Sequence, residues 1–230
     1  MDHYLIEFRF HGYAKRYSRS LIYEVARKFR VSGVTRKRAV PHITLFGPFT
    51  TRSERKMVSE VINIGRKHFL VPFKVKGFNS FDNNINKVIY IDIEPSQEME
   101  ELRWEIARRL LKITKTKSVH DAKRDFHFHD TIAFRDIDRK FSEIWKYIKS
   151  KEGPNINQHL LRITILKNGK ILNEYDLIQK RLLSRRQAKS KHLFNQTINL
   201  FRNQNEKFRK EIEIERNFWD HIKSIFNWRK

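Results

Sequence analysis

Cysteine is missing from all 230 residues. That one absence excludes disulfides, thiol catalysis and cysteine-ligated zinc. No apolar run approaches the ~18 residues of a membrane-spanning helix. The opening MDHYLIEFRF alternates and carries charge, without the apolar middle and small-residue cleavage site of a secretion signal. A soluble, cytoplasmic protein is the expectation. No GxGxxG or Walker pattern occurs, so a doubly wound nucleotide-binding sheet is not indicated. Acidic residues are the scarce sign: 26 Asp plus Glu stand against 49 Lys plus Arg, for a net charge of +23. A polyanionic partner follows, with nucleic acid ahead of an acidic membrane surface.

What is present suffices for one large domain or two lobes around a sizeable core. Eighteen Phe supply much of the apolar area. HYLIEFRF, from His3, alternates as an edge or half-buried strand. Ser18 or Ser20 can cap a helix to about Phe29, with Leu21, Ile22, Val25, Ala26 and Phe29 on one face. HITLFGPF reads as a strand, then Ser53 caps a helix over about Glu54 to Lys67. VPFKVKGF and KVIYIDIEP are strands, Ser96 begins a helix to about Ile113, and FHFHDTIAF is the next strand. Asp136 or Asp138 caps a helix over about Arg139 to Lys151, and Asn168-Gly169 marks a closing hairpin. This order fits an α+β domain of two related lobes over residues 1–186.

Residues 187–230 differ in composition and read as a basic amphipathic helical tail. Phe194, Ile198, Phe201, Asn205, Phe208, Ile212, Glu215, Trp219, Ile222 and Phe226 recur at spacings of four and three, a heptad-like seam broken by Asn205 and Glu215. A helix docked on its own domain is the first reading. Self-association through that helix, or contact with RNA or a membrane surface, are the others.

Two stretches carry the chemistry. PHITLFGPF contains His42-Ile43-Thr44-Leu45, and FHFHDTIAF contains His129-Asp130-Thr131-Ile132. Both read His-x-Thr-apolar on an expected strand, so His and Thr project to one face, about 7 Å apart at the backbone. Imidazole titrates near neutrality and suits both acid and base roles. The Thr hydroxyls can donate hydrogen bonds to phosphoryl oxygens. Two such pairs facing one another suit the opening of a 2′,3′-cyclic phosphate without a metal. A lone His-x-Thr is weak, but two copies, each followed by a loop and a capped helix, are far more specific.

On PHITLFGPF, HFHDTIAF and the hairpin LRITILKNGKILNEYDL, the chain resembles the two-histidine (2H) phosphoesterase superfamily. Within it the resemblance is to the 2′-5′ RNA ligase-like RNA 2′,3′-cyclic phosphodiesterases, and it extends to about Arg186. It implies a bilobal fold of two pseudo-symmetric lobes with antiparallel sheets around a central groove. It implies hydrolysis of cyclic phosphate ends to 2′-phosphate, with 2′-5′ RNA ligation in reverse, and no cofactor or metal. It implies His42 as proton donor, His129 as acceptor, and Thr44 and Thr131 as phosphate-binding hydroxyls. The implied partner is RNA, a tRNA or another RNA with such ends, and not a membrane. The rival readings are a phosphodiesterase of small cyclic nucleotides and a non-catalytic RNA-binding or assembly module with a vestigial site.

Three more residues are candidates for substrate contact. Phe46 could stack on a base, His127 shares the parity of His129, and Arg135 could reach a phosphate. His127 and His129 could also form a metal half-site, but no Asp, Glu or Cys cluster at ligand spacing completes it. The basic loops Thr35 to Arg38 and Thr114 to Arg124 precede the two motifs and suit an RNA backbone. The one departure from the usual apolar residue inside the motif is Asp130. It is expected on the far face of its strand, solvated or paired with a basic neighbour.

Overall fold

The structure, a computed structural model, describes residues 1–36, 38–82, 87–115, 119–204 and 206. Its strands are β1 (Tyr4–Arg9), β2 (His42–Phe49), β3 (Val71–Asp82), β4 (Lys87–Pro95), β5 (His129–Phe134), β6 (Asn155–Leu160), β7 (Arg162–Lys167), β8 (Lys170–Asp176) and β9 (Arg181–Ser184). The helices used below are α1 (Gly12–Phe29), α2 (Glu54–Gly65), α3 (Gln97–Leu110) and α4 (Phe141–Lys149).

Two antiparallel sheets result, in the orders β2-β1-β7-β8-β9 and β5-β4-β3-β6. The repeat is visible in the connections. Strand, helix and edge strand follow one another as β1-α1-β2 and again as β4-α3-β5, so each motif strand is an outer strand of its own sheet. The helices are exchanged between the lobes: α1 packs on β5, and α3 packs on β2. Alternation explains the faces. Ile6, Phe8, Ile43 and Leu45 on one sheet, and Ile91 and Ile132 on the other, turn into the core with Val25, Met57 and Ile106. Gly65 lets α2 approach the sheet, because the Tyr175 ring stands 2.3 Å from where a Cβ would be.

Several boundaries differ from the sequence expectation. α1 starts at Gly12, because Ser18 is not a cap: it lies inside the helix, fully buried, with its hydroxyl used elsewhere. β5 starts at His129 rather than Phe126. β6 and β9 lie outside that expectation, since NINQHL and RLLS are short and polar or isolated. The hairpin turn is as read: Asn168 at φ 50° and Gly169 at φ 72° supply the two left-handed residues. Among the described residues no helix is long and apolar enough to cross a membrane.

The chain divides into two compact units, Met1–Arg185 and Arg186–Lys230. In the second, residues 191–204 are helical and include Phe194, Ile198 and Phe201. The rest of the expected seam, Asn205, Phe208, Ile212, Glu215, Trp219, Ile222 and Phe226, lies outside the described residues.

Candidate active site

Each motif histidine is the first residue of its strand, and each Thr follows two residues later on the same face. The intervening Ile43 and Asp130 point the other way. The rings are held alike. His42 Nδ1 lies 2.9 Å from the carbonyl oxygen of Val40, and His129 Nδ1 lies 3.1 Å from that of His127. A ring nitrogen facing a carbonyl oxygen must carry the proton, so both rings leave Nε2 for chemistry. Among the described residues neither Thr44 nor Thr131 uses its hydroxyl in a hydrogen bond.

Both strands also bulge directly after the Thr. Glu7 pairs with Thr44 and Ile6 with Phe46, which leaves Leu45 as the extra residue. Tyr90 pairs with Thr131 and Ile89 with Ala133, which leaves Ile132 as the extra residue. A bulge reverses the alternation beyond it. Phe46 therefore leaves the face of His42 and Thr44. It is 1% exposed and packs in the core against Phe49, ring centroids 5.0 Å apart, which removes it as a stacking surface for a base.

Asp130 overturns its expectation in an informative way. It does face away from His129, but it is 1% exposed, and among the described residues no basic side chain forms an ion pair with it. Its Oδ2 accepts the hydroxyl of Ser18 on α1, and its Oδ1 accepts the backbone N–H of His42 at 3.1 Å. One carboxylate thus joins the second motif strand to the first histidine and to the exchanged helix. Burial pushes its pKa up to about 6, against the Ser18 bond and the pull of His42.

The other lobe has a matching strut. Ser18 and Arg103 are each the seventh residue of their helix. Arg103 is wholly buried and donates from Nε to the Leu45 carbonyl on β2 at 3.3 Å. Its remaining donors meet the carbonyls of Lys123, His120 and Asp121, and the guanidinium lies 3.9 Å from the Phe126 ring centroid. The Asp121 carboxylate in turn accepts the Gly47 N–H. Part of the basic loop expected to track RNA is therefore pinned to the scaffold. Lys123 and Arg124 remain exposed beside it.

The surroundings of the two histidines differ. Opposite His42 in register stands Arg9, and opposite Thr44 stands Glu7. Glu7 is 3% exposed, accepts from Arg9 Nε at 2.6 Å, and lies 3.8 Å from His42 Nε2. Beyond it the same sheet face continues through Thr164, Glu174 and Arg162, where Thr164 Oγ1 donates to Glu174 at 3.0 Å. Opposite His129 stands Asp92, and opposite Thr131 stands Tyr90. The His129 ring lies among Phe81 and Tyr90, with centroids 5.3 and 5.1 Å away. Burial lowers its pKa, and the nearby His127 and His42 rings act in the same direction against the His127 carbonyl and Asp92. Burial, then the Asp92 charge, pushes Tyr90 up to about 12, so its phenol stays protonated.

His127 sits before the strand rather than on it, yet its ring lies 6.3 Å from that of His129, and its Nε2 is 3.1 Å from Asp92. It adjoins the site, and its carbonyl orients His129. Among the described residues no group of three or more His, Asp or Glu converges to complete a metal half-site around it. Arg135 does not adjoin the site. It lies six residues along from His129, roughly 20 Å at strand rise, in a left-handed turn (φ 77°) with its guanidinium over Phe134. Sequence reasoning missed Glu7, Ser18, Arg103, Phe81 and Tyr90. Only Glu7 left a trace, as a carboxylate on the polar face of an alternating strand.

The family model of the 2′-5′ RNA ligase superfamily matches residues 20–170. No curated protein matches the sequence. Among solved structures, the chain is similar to E. coli LigT in apo form, at 12% identity over 76% of this chain and 96% of that one, TM-score 0.46. It is also similar to Kluyveromyces marxianus Usb1 with uridine monophosphate, at 10% identity over 80% and 97%, TM-score 0.44.

Proposed function

The chain belongs to the 2′-5′ RNA ligase superfamily, and on that premise we propose that it opens 2′,3′-cyclic phosphate ends of RNA to 2′-phosphates. The observation that carries the reading is the paired Nδ1 contact. Two imidazoles, each fixed through the carbonyl two residues before it, offer Nε2 beside an unused Thr hydroxyl.

His129, whose burial favours the neutral ring, takes a proton from water. The water oxygen bonds to phosphorus, the P–O3′ bond breaks, and the proton-carrying His42 hands its proton to the leaving O3′. The Glu7 carboxylate stands 3.8 Å from His42 Nε2, on the side of the ring that faces the leaving oxygen in this scheme. Thr44 and Thr131 donate to the non-bridging oxygens as charge builds on them. A 5′-hydroxyl in place of water gives a 2′-5′ linkage at the same centre. The acid/base pair supplies this chemistry by itself, so turnover should persist in EDTA. The test is an oligonucleotide with a 2′,3′-cyclic phosphate end, incubated in EDTA, with products compared to 2′- and 3′-phosphate standards. A 2′-phosphate product is expected; a 3′-phosphate, or no turnover, contradicts the reading.

A further inference from the structure

Three cations near His42 have no part in the steps above. Lys15 and Arg19 lie four residues apart on α1, and Tyr23 four further, so the three form one stripe along the helix. The Tyr23 hydroxyl accepts the backbone N–H of Ala39 at 3.3 Å, which lays the stripe along the segment leading into His42. Arg38 precedes that bonded residue. From the other side, β1 sets Arg9 opposite His42 and runs into α1 three residues later. Like charges crowd as a result. Burial lowers the pKa of Lys15, and Arg19, Arg38 and Arg9 lower it further against a weaker pull from Glu174.

Arg9 has Glu7 as its ion-pair partner. Among the described residues Lys15, Arg19 and Arg38 have none, and Arg19 Nε is buried without a hydrogen-bond partner. Cations drawn together and partly desolvated without a counter-charge cost stability. An anion placed among them removes that cost. We infer that Lys15, Arg19 and Arg38 form a subsite for a backbone phosphate of the RNA strand adjoining the reacting end. This rests on reading the site as one that acts on RNA ends.

The test compares an oligonucleotide ending in a 2′,3′-cyclic phosphate with a nucleoside 2′,3′-cyclic monophosphate, in the wild type and the Lys15→Ala/Arg19→Ala/Arg38→Ala variant. The ratio of kcat/KM for oligonucleotide over mononucleotide should fall at least about tenfold. The slope of log KM for the oligonucleotide against log salt should weaken by about 0.7 for each phosphate that the variant leaves unneutralised. Arg38→Glu alone, at an exposed position, should move the ratio the same way without lowering the Tm. A ratio that stays within twofold in both variants overturns the subsite. If the wild type opens neither substrate, the reading of the site fails separately. Anisotropy of the labelled oligonucleotide then decides the subsite: about tenfold weaker binding by the variants sustains it, and equal binding overturns it.

Discussion

The two His-x-Thr half-sites share a plan and diverge in one buried residue. In both, the histidine opens an edge strand, its Nδ1 meets the carbonyl two residues back, and the strand bulges after the Thr. Between His and Thr, the first has Ile43, fully buried among apolar neighbours, and the second has Asp130, equally buried but bonded to Ser18 and to the His42 N–H. The environments diverge with it. His42 faces the Glu7–Arg9 pair, and His129 sits among Phe81, Tyr90 and His127. Identical residues on matching strands therefore meet different surroundings, because what stands across the ladder differs, and the proposed division of proton roles rests on that difference. One carboxylate also ties the two half-sites together, which a second isoleucine could not do.

Making the two halves alike should have the largest effect. Asp130→Leu orphans the buried Ser18 hydroxyl and the part-buried His42 N–H, at about 1–3 kcal/mol for the first and less for the second, and frees the start of β2. Urea unfolding should show a loss of about 2–5 kcal/mol, with kcat falling at least about tenfold as a 1 Å misplacement would cause. Ile43→Val, at the matching position, should cost about 0.5–1.5 kcal/mol and leave kcat within about twofold.

The two buried positions also differ in acidity. Asp130 has its folded pKa raised to about 6 from an ordinary 3.8. The folded state thus favours the protonated acid. Its contribution to stability is fully present below about pH 4 and is lost as pH rises through about 6. Asp130→Asn cannot ionise, so the stability of wild type relative to this variant should decline between about pH 4 and 7. A difference that stays flat across that window would contradict the shift.

The aromatic residues give the smallest effects and the cleanest contrast. Phe81→Ala opens the surroundings of His129, so the acidic limb of the kcat/KM profile should move up toward the ordinary histidine value, with kcat lowered a few-fold. Phe46→Leu should cost about 1 kcal/mol of stability and leave that limb unmoved. A shift of the limb by Phe46→Leu would put Phe46 back into the site.

Much of the plan is legible in the sequence because its signals are local. His42, Thr44, His129 and Thr131 share a strand face by alternation alone, and the Asn-Gly turn marks its hairpin directly. The bulges are not legible, since Leu45 and Ile132 look like any apolar strand residue, and so Phe46 reads as a groove residue. The partners of Asp130 are not legible either. Ser18 lies 112 residues away and reaches it only because α1 packs across to the other lobe. Arg103, charged on an otherwise apolar helix face, finds its acceptors in a loop that is basic in sequence and pinned in structure.

Single-turnover opening of a 2′,3′-cyclic phosphate oligonucleotide by His42→Ala, His129→Ala and the double variant tests the paired half-sites most directly. Each single change should slow the step by about 10²–10⁴-fold, and the double should be little worse than the slower single, because the two rings act as a unit. Undiminished turnover in either single variant would contradict the assignment of that half-site.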